Sequence, residues 1–257
     1  MVQQKSSGYS KRVCFLKDVP VLFLRDIKTL AIADLHIGLE YEFWSYGITI
    51  PPQADLFFKQ LESVIQTTSA EKLVIVGDVK HNIPGVSIRE LKEIPRFLKK
   101  LSNLVKVEIV EGNHDGNLRD VWEDFHPASG LRIGRYGFFH GHAWPSEEVV
   151  RASVLITAHL HPAIEFRSKF GYRSVQRVWV EGNCKRETLE RRYGLKKKTK
   201  IMILPAFNPL VGSYPLNSNI PQEKTKIVEK IVDLKNSKIY MLDGTFLGSL
   251  DLLVKSL

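Results

Sequence analysis

Cysteine is almost missing from this chain: Cys14 and Cys184 are the only two among 257 residues. Two thiols so far apart form neither a disulfide framework nor a CxxC device, and packing is the plainer account of both. Long apolar runs are missing as well. None approaches the roughly 20 residues needed to cross a bilayer, and the opening MVQQKSSGYSKR has no apolar stretch behind its charges. The expectation is a cytoplasmic protein without membrane contact. Fixed-period repeats, low-complexity linkers and breaks in composition are also missing, so residues 1–257 are expected to form one domain. An apolar content of 44% gives that domain enough material for a buried core. With neither a coiled coil nor an ATPase segment in the chain, an energy-coupled role in DNA repair would need a protein partner.

Positive charge is what the chain has in excess. The formal net charge is +9, and much of it is concentrated: Lys185, Arg186, Arg191, Arg192, Lys196, Lys197, Lys198 and Lys200 stand against only Glu187 and Glu190. Such a run can track a phosphate backbone, where each cation releases condensed counterions, or it can be a solvated helix and loop.

Apolar periodicity orders the first half as alternating strand and helix. VLFL (21–24) and TLAIAD (29–34) read as strands around a turn at 25–28. From the Pro51-Pro52 pair onward, Phe57, Leu61, Val64 and Ile65 recur at helical spacing. KLVIVGD is a short continuous apolar run, the mark of a strand buried in a parallel sheet. Ile88, Leu91, Leu98 and Leu101 make a second helical stripe, expected to kink at Pro95, and LVKVEIVEGNHD repeats the move from strand to polar loop. Leu118, Val121, Trp122 and Phe125 are spaced as another helical face. The chain then becomes strand-rich, with hairpins expected around Gly134-Arg135, near 169–171 and at Asp243-Gly244. VLITAHLHP and KIMILPAF read as buried strands, with a short basic helix or loop before the second. The fold class is α/β, and a four-layer αββα sandwich of two mixed β-sheets accommodates both halves.

In open α/β sheets ligands lie beyond the carboxyl ends of the strands. Seven of the eight histidines fall in polar knots just there: ADLH (33–36), GDVKH (77–81), GNHD (112–115), HGH (140–142) and AHLH (158–161), with only His126 apart. Each knot alone has a plainer account. Asp-Leu-His can be a helix cap, Gly-Asp a tight turn, Asn113 a left-handed turn residue, and His140 and His142 the surface of a hairpin. Five such coincidences at one sheet edge are harder to dismiss, because imidazoles and carboxylates buried together are costly unless something compensates them. Two divalent cations would do so. Imidazole nitrogen mixed with carboxylate and amide oxygen suits Mn²⁺, Fe²⁺ or Zn²⁺, and the lack of nearby cysteine argues against a structural zinc site.

The ordered series D-x-H, G-D-x-x-H, G-N-H-D, H-G-H and A-H-x-H resembles the calcineurin-like metallophosphoesterase superfamily. IADLHIGLE, VIVGDVKHNIPG and LPAFNPLVGSYPLN resemble its archaeal SbcD-related phosphoesterases in particular. The resemblance implies a metallo-dependent phosphatase-like fold in which Asp34, His36 and His161 hold one metal, Asn113, His140 and His159 hold the other, and Asp78 bridges them. It implies His114 as the catalytic imidazole near the leaving group and Asp115 as its orienting partner. A carboxylate accepting the second N–H of His114 would fix its tautomer. Three departures stand out. Ala158 replaces a usual glycine, so the backbone must accept a Cβ. His81 stands where an acid or amide is usual and is assigned to substrate. In HGH the residues leave the ligand open; the resemblance favours His140, with His142 left for substrate.

The implied chemistry is phosphoester hydrolysis by activated water between two cations, most simply Mn²⁺, with Fe²⁺ or Zn²⁺ as alternatives. The expected substrate is nucleic acid, DNA or RNA, on the strength of the basic segment and of Trp44, Trp144 and Trp179, each of which could stack a base or simply pack in the core. A small-molecule phosphodiesterase or phosphatase and a non-catalytic scaffold that keeps the fold are the rivals.

Overall fold

In the computed structural model, which describes residues 4–6, 12–83, 85, 87, 89–218 and 227–255, the first half of the chain forms one seven-stranded sheet. Its order follows the chain: β1 (Gln4–Ser6), β2 (Val13–Leu16), β3 (Leu22–Leu24), β4 (Thr29–Ile32), β5 (Lys72–Val76), β6 (Lys106–Val110) and β7 (Phe125–His126). Strands β1 to β4 pair antiparallel, and β4 to β7 run parallel. Helices α1 (Leu39–Ser45) and α2 (Ala54–Thr68) make the first crossover, and α3 (Glu90–Ser102) makes the second.

The second sheet contains β8 (Leu131–Ile133), β9 (Tyr136–Phe138), β10 (Val154–Thr157), β11 (Pro162–Arg167), β12 (Arg173–Asn183), β13 (Lys200–Ile203), β14 (Tyr214–Pro215), β15 (Lys238–Met241) and β16 (Phe246–Ser249). Strands β9, β10 and β13 are parallel neighbours, so their carboxyl ends share one rim. Helices α4 (Glu147–Val150), α5 (Arg186–Tyr193), α6 (Ile227–Ile231) and α7 (Leu250–Lys255) belong to this half.

Alternate residues of a strand face opposite ways, and in the central strands both directions are buried. Leu73 and Ile75 of β5 join Phe57, Leu61, Phe97 and Leu98 under the helices of the first half, while Val74 and Val76 face the other sheet. Val154 and Ile156 of β10 meet them there, and Leu155 turns outward toward Val228, Ile231 and Leu189. Three apolar layers thus separate helices, sheet, sheet and helices, which is the expected αββα sandwich.

Several local expectations change. Residues 118–125 are not a helix. Their only described turns are short, Val121 N and Trp122 N both donating to Leu118 O, because Gly116 and Asn117 (φ 73°) interrupt the chain just before. Val121, Trp122 and Phe125 nonetheless pack on the core. In α3, Pro95 lies inside a continuous helix and Leu91 is exposed; the buried stripe is Ile94, Phe97, Leu98 and Leu101, and Ile88 lies outside the described residues. The polar leader contributes β1, while its residues 1–3 and 7–11 lie outside the description. Trp179 is fully buried, stacked on Phe15 at 4.7 Å between ring centroids, so it reads no base. Cys14 and Cys184 are buried packing residues, as expected.

Candidate metal centre

The polar knots stand where parallel strands of both sheets end, and their backbone is unusual. Asp34 (φ 56°), His36 (43°), Asp78 (53°), His159 (66°) and His161 (47°) all adopt positive φ. Non-glycine residues hold that conformation only when the surroundings enforce it, and Asp and His tolerate it better than most. Here the enforcement is a ladder: Asp34 N donates to Gly77 O at 3.1 Å, His36 N to Asp78 O at 2.9 Å and Ile37 N to Val79 O at 2.9 Å. The chain after β13 closes the other side, with Asn208 Nδ2 donating to Leu35 O at 2.9 Å. Ala158 fits without any such strain. It is absent from the positive-φ residues and packs its methyl between the sheets.

Two glycines are required by close approach. A Cβ on Gly112 would lie 2.1 Å from Asp78 Oδ1, and one on Gly77 would lie 2.2 Å from His140 Nδ1. Any side chain there would occupy the place of a site residue.

Three groups of side chains present their donor atoms within 4.8 Å of one another: Asp34, His36, Asp78 and His161; Asp78, His140 and His159; and His36, His81 and His114. The first two share Asp78. Its Oδ2 stands 3.5 Å from His36 Nε2 and 3.2 Å from His140 Nε2, so one oxygen faces both groups. Both oxygens of Asp34, His36 Nε2 and His140 Nε2 are buried without a hydrogen-bond partner. Buried polar atoms are normally satisfied, and orphans gathered in one spot call for an ion. These residues therefore fit a pair of divalent cations.

The histidine tautomers agree. His140 Nδ1 donates to Val76 O at 2.9 Å and His161 Nδ1 to Gly212 O at 3.0 Å, which leaves Nε2 as the nitrogen each ring turns toward the carboxylates, as expected of imidazoles that bind metal. His36 is held differently. Its Nδ1 lies 3.2 Å from His81 Nδ1, and His81 Nε2 lies 2.6 Å from Glu42 Oε2. The carboxylate can only accept, so the proton order runs His36 to His81 to Glu42 and leaves His36 Nε2 aprotic toward Asp78. Both ring nitrogens of His81 are thereby engaged in supporting His36, and neither is left for substrate.

Charge in the cluster follows the same geometry. Burial raises the Asp78 carboxyl, but His140 and His36 outweigh it and hold the group well below the usual range. Burial likewise opposes, and His161 and His140 reverse, the shift at Asp34, which is lowered. His140 would be lowered by burial, yet Asp78 and Asp34 lift it to about 9. His36 and His142 are pushed down chiefly by burial, to about 3 and about 4. His142 keeps its ring 5.3 Å from that of His140 and 6.0 Å from that of His159, at the rim and not against Asp78.

Asp115 has another task than the expected one. Its carboxylate accepts Val79 N at 2.8 Å, Lys80 N at 3.3 Å and Gly112 N at 2.8 Å, tying two motif loops together. The orienting partner of His114 is instead the carbonyl of His81, which accepts its Nδ1–H at 2.5 Å, while His114 N donates to Asp78 Oδ1 at 2.9 Å. Asn113 lies between Gly112 and His114 with an exposed side chain. Sequence reasoning missed Glu42, Glu90 and Asn208. Glu90 is fully buried and accepts His81 N, Asn82 N and Ser87 N, fixing the loop that carries His81. A carboxylate opening a helix looks like an ordinary first-turn residue, so no spacing signal distinguished it.

A sequence profile described as Calcineurin-like phosphoesterase matches residues 27–183. No curated protein matches the chain. Among solved structures, nuclease MPE of Pseudomonas putida is similar at a TM-score of 0.58 and 18% identity, over 95% of this chain and 98% of that one. Yfce, a phosphoesterase from E. coli, aligns at a TM-score of 0.38 and 18% identity, over 86% of this chain and 96% of that one.

Proposed function

Because the chain belongs to the calcineurin-like phosphoesterase family, we propose that it is a dinuclear metal-dependent phosphodiesterase whose substrate is a nucleic acid. The carrying observation is the single Asp78 oxygen facing His36 Nε2 on one side and His140 Nε2 on the other, both buried without a hydrogen-bond partner. Asp34, His36 and His161 would hold one ion; His140 and His159, with Asn113, would hold the other; Asp78 would be common to both. Mn²⁺ is the first choice for such mixed nitrogen and oxygen donors, before Fe²⁺ and Zn²⁺. Bound ions would supply Lewis acidity at the phosphoryl oxygens and a water nucleophile at neutral pH.

The chain's own residues do the rest. His114, with Nδ1 tied to the His81 carbonyl, keeps Nε2 for the leaving oxygen and can deliver a proton there. Asp115 holds the Gly112 turn against residues 79–80, so that the backbone of His114 can grip Asp78. His142, half-buried beside His140 and His159, is assigned to the substrate side of the site.

The test is the purified protein with Mn²⁺ on bis-p-nitrophenyl phosphate and on labelled DNA and RNA. Hydrolysis of both substrate classes, abolished by EDTA, is expected. Nucleic-acid cleavage should fall steeply with added salt while the small ester hardly responds. Hydrolysis of the small ester alone would assign a small-molecule phosphodiesterase, and no hydrolysis with any divalent ion would leave a scaffold.

A further inference from the structure

Trp144 follows His142 by two residues, and two residues of chain reach at most about 7 Å. Beside it opens a pocket of about 520 Å³, lined by Trp144, Lys185, Thr188, Arg191, Arg192 and Lys230. Four of the six are cations and none is acidic. Two nearby carboxylates are otherwise engaged: Glu190 pairs with Lys196 at 3.4 Å, and Glu229 accepts the Tyr214 hydroxyl at 2.7 Å.

The pocket is built rather than a chance gathering of surface lysines. On α5, Thr188, Arg191 and Arg192 share one face by their i, i+3, i+4 spacing, while Leu189 is buried and anchors the helix. Three hydrogen bonds fix the walls: Tyr193 hydroxyl to Pro145 O at 2.7 Å, Thr188 hydroxyl to Lys230 O at 2.9 Å, and Lys185 Nζ to Glu229 O at 2.8 Å. The Arg192 guanidinium lies over the half-buried Trp144 ring, 4.1 Å from its centroid. A planar cation on an aromatic face, ringed by further cations, is a stacking surface for a base with phosphate partners around it. Lys197 spends two of its three N–H donors on the carbonyls of Arg151 and Ala152, so not all of the basic segment serves a ligand, whereas Lys185 gives one to the Glu229 carbonyl and keeps two for phosphate.

We propose that this pocket is a single-stranded nucleic-acid subsite that receives the nucleotide flanking the scissile phosphate, stacking its base on the Trp144–Arg192 pair and binding its phosphates through Lys185, Arg191 and Lys230. The subsite rests on the phosphodiesterase reading above. A base must be unstacked to use it, so an unpaired strand or frayed end is the ligand and an intact duplex is not.

The experiment is fluorescence anisotropy of a labelled 12-nucleotide single strand in EDTA, which reads binding without turnover. Wild-type protein is compared with an Arg191→Glu, Arg192→Glu variant and with Lys230→Glu, each checked for folding by its thermal melt. The double variant is expected to bind at least tenfold more weakly at low salt, with a flatter salt dependence, and Lys230→Glu severalfold more weakly. Intrinsic fluorescence of the wild type should be quenched by the strand, and Trp144→Phe should remove most of that quenching. Folded variants that bind like wild type overturn the proposal. So does a wild type that hydrolyses bis-p-nitrophenyl phosphate yet does not bind the strand, an outcome that leaves the phosphodiesterase reading standing. Failure of the wild type to hydrolyse the small ester with any divalent ion instead overturns that reading, and the subsite with it.

Discussion

At the scale of single residues, the site depends on missing atoms as much as on donors. Gly112→Ala would drive a methyl into Asp78, and overpacking of this kind costs about 1–3 kcal/mol, so the variant should melt earlier and retain less Mn²⁺ in metal analysis after dialysis. Gly116, with nothing near its Cβ position and no positive φ, is the control that should retain metal on the same change. His114 makes the opposite prediction. Replacing it by Asn should lower kcat on bis-p-nitrophenyl phosphate by about 10²–10⁴-fold with metal content intact, because its ring is aimed at chemistry while its backbone grips Asp78. Unchanged turnover would remove it from the mechanism. Most of this was legible in the sequence, since Asp34, His36, Asp78, His140, His159 and His161 sit in recognisable loops after apolar runs. What was not legible was which partner each imidazole meets. Asp115, two residues from Asn113, binds backbone N–H groups and not the ring next to it, and no spacing rule separates those outcomes.

At the scale of elements, α1 and the loop after β5 act together through Glu42, His81 and His36. Partners of this kind typically account for 10–100-fold in metal affinity, so Glu42→Ala should weaken Mn²⁺ binding by about that factor in calorimetry while the other imidazoles still bind. Helix α1 escaped sequence reading because it is seven residues long and begins at Gly38 (φ 105°) with no side-chain cap, so none of the usual start signals is present. Strands were read best where both faces are buried, as in β5 and β6. The face at 118–125 misled because residues that pack on a core at intervals of three and four need not be helical. A second cross-element cluster carries a pH prediction. Glu108 of β6 is pushed up by burial but pulled down further by His126, Lys106 and Lys72, to about 2 from 4.5. A depressed carboxyl stabilises the fold above its unfolded pKa and loses that contribution as pH falls toward its folded one. The stability gap between wild type and Glu108→Gln in urea should therefore be full above pH 4.5 and shrink toward pH 2. A constant gap between pH 6 and pH 3 would contradict the pairing.

At the scale of the whole molecule, two sheets meet at a rim where Asp34, Asp78 and Asp115 are all buried among imidazoles. The Asp115 carboxyl is raised to about 7, chiefly by burial and then by the Asp78 charge beside it. A ligand that binds only the folded state adds about 2.7 kcal/mol at a hundred times its Kd. Mn²⁺ should thus raise the Tm in a concentration-dependent way that EDTA reverses, and more than Mg²⁺ does, given the nitrogen donors. The sandwich itself was legible, because strands buried on both faces demand cover on both. Which sheet edge faced which was not, since that depends on long-range pairing such as the His140 contact to Val76 across the two sheets. The most direct test of the central claim is metal stoichiometry after dialysis, measured on wild type and on Asp78→Asn. Two ions per wild-type chain, with both lost in the variant, are expected; a single ion in the wild type, or two retained in the variant, would contradict a centre bridged by Asp78.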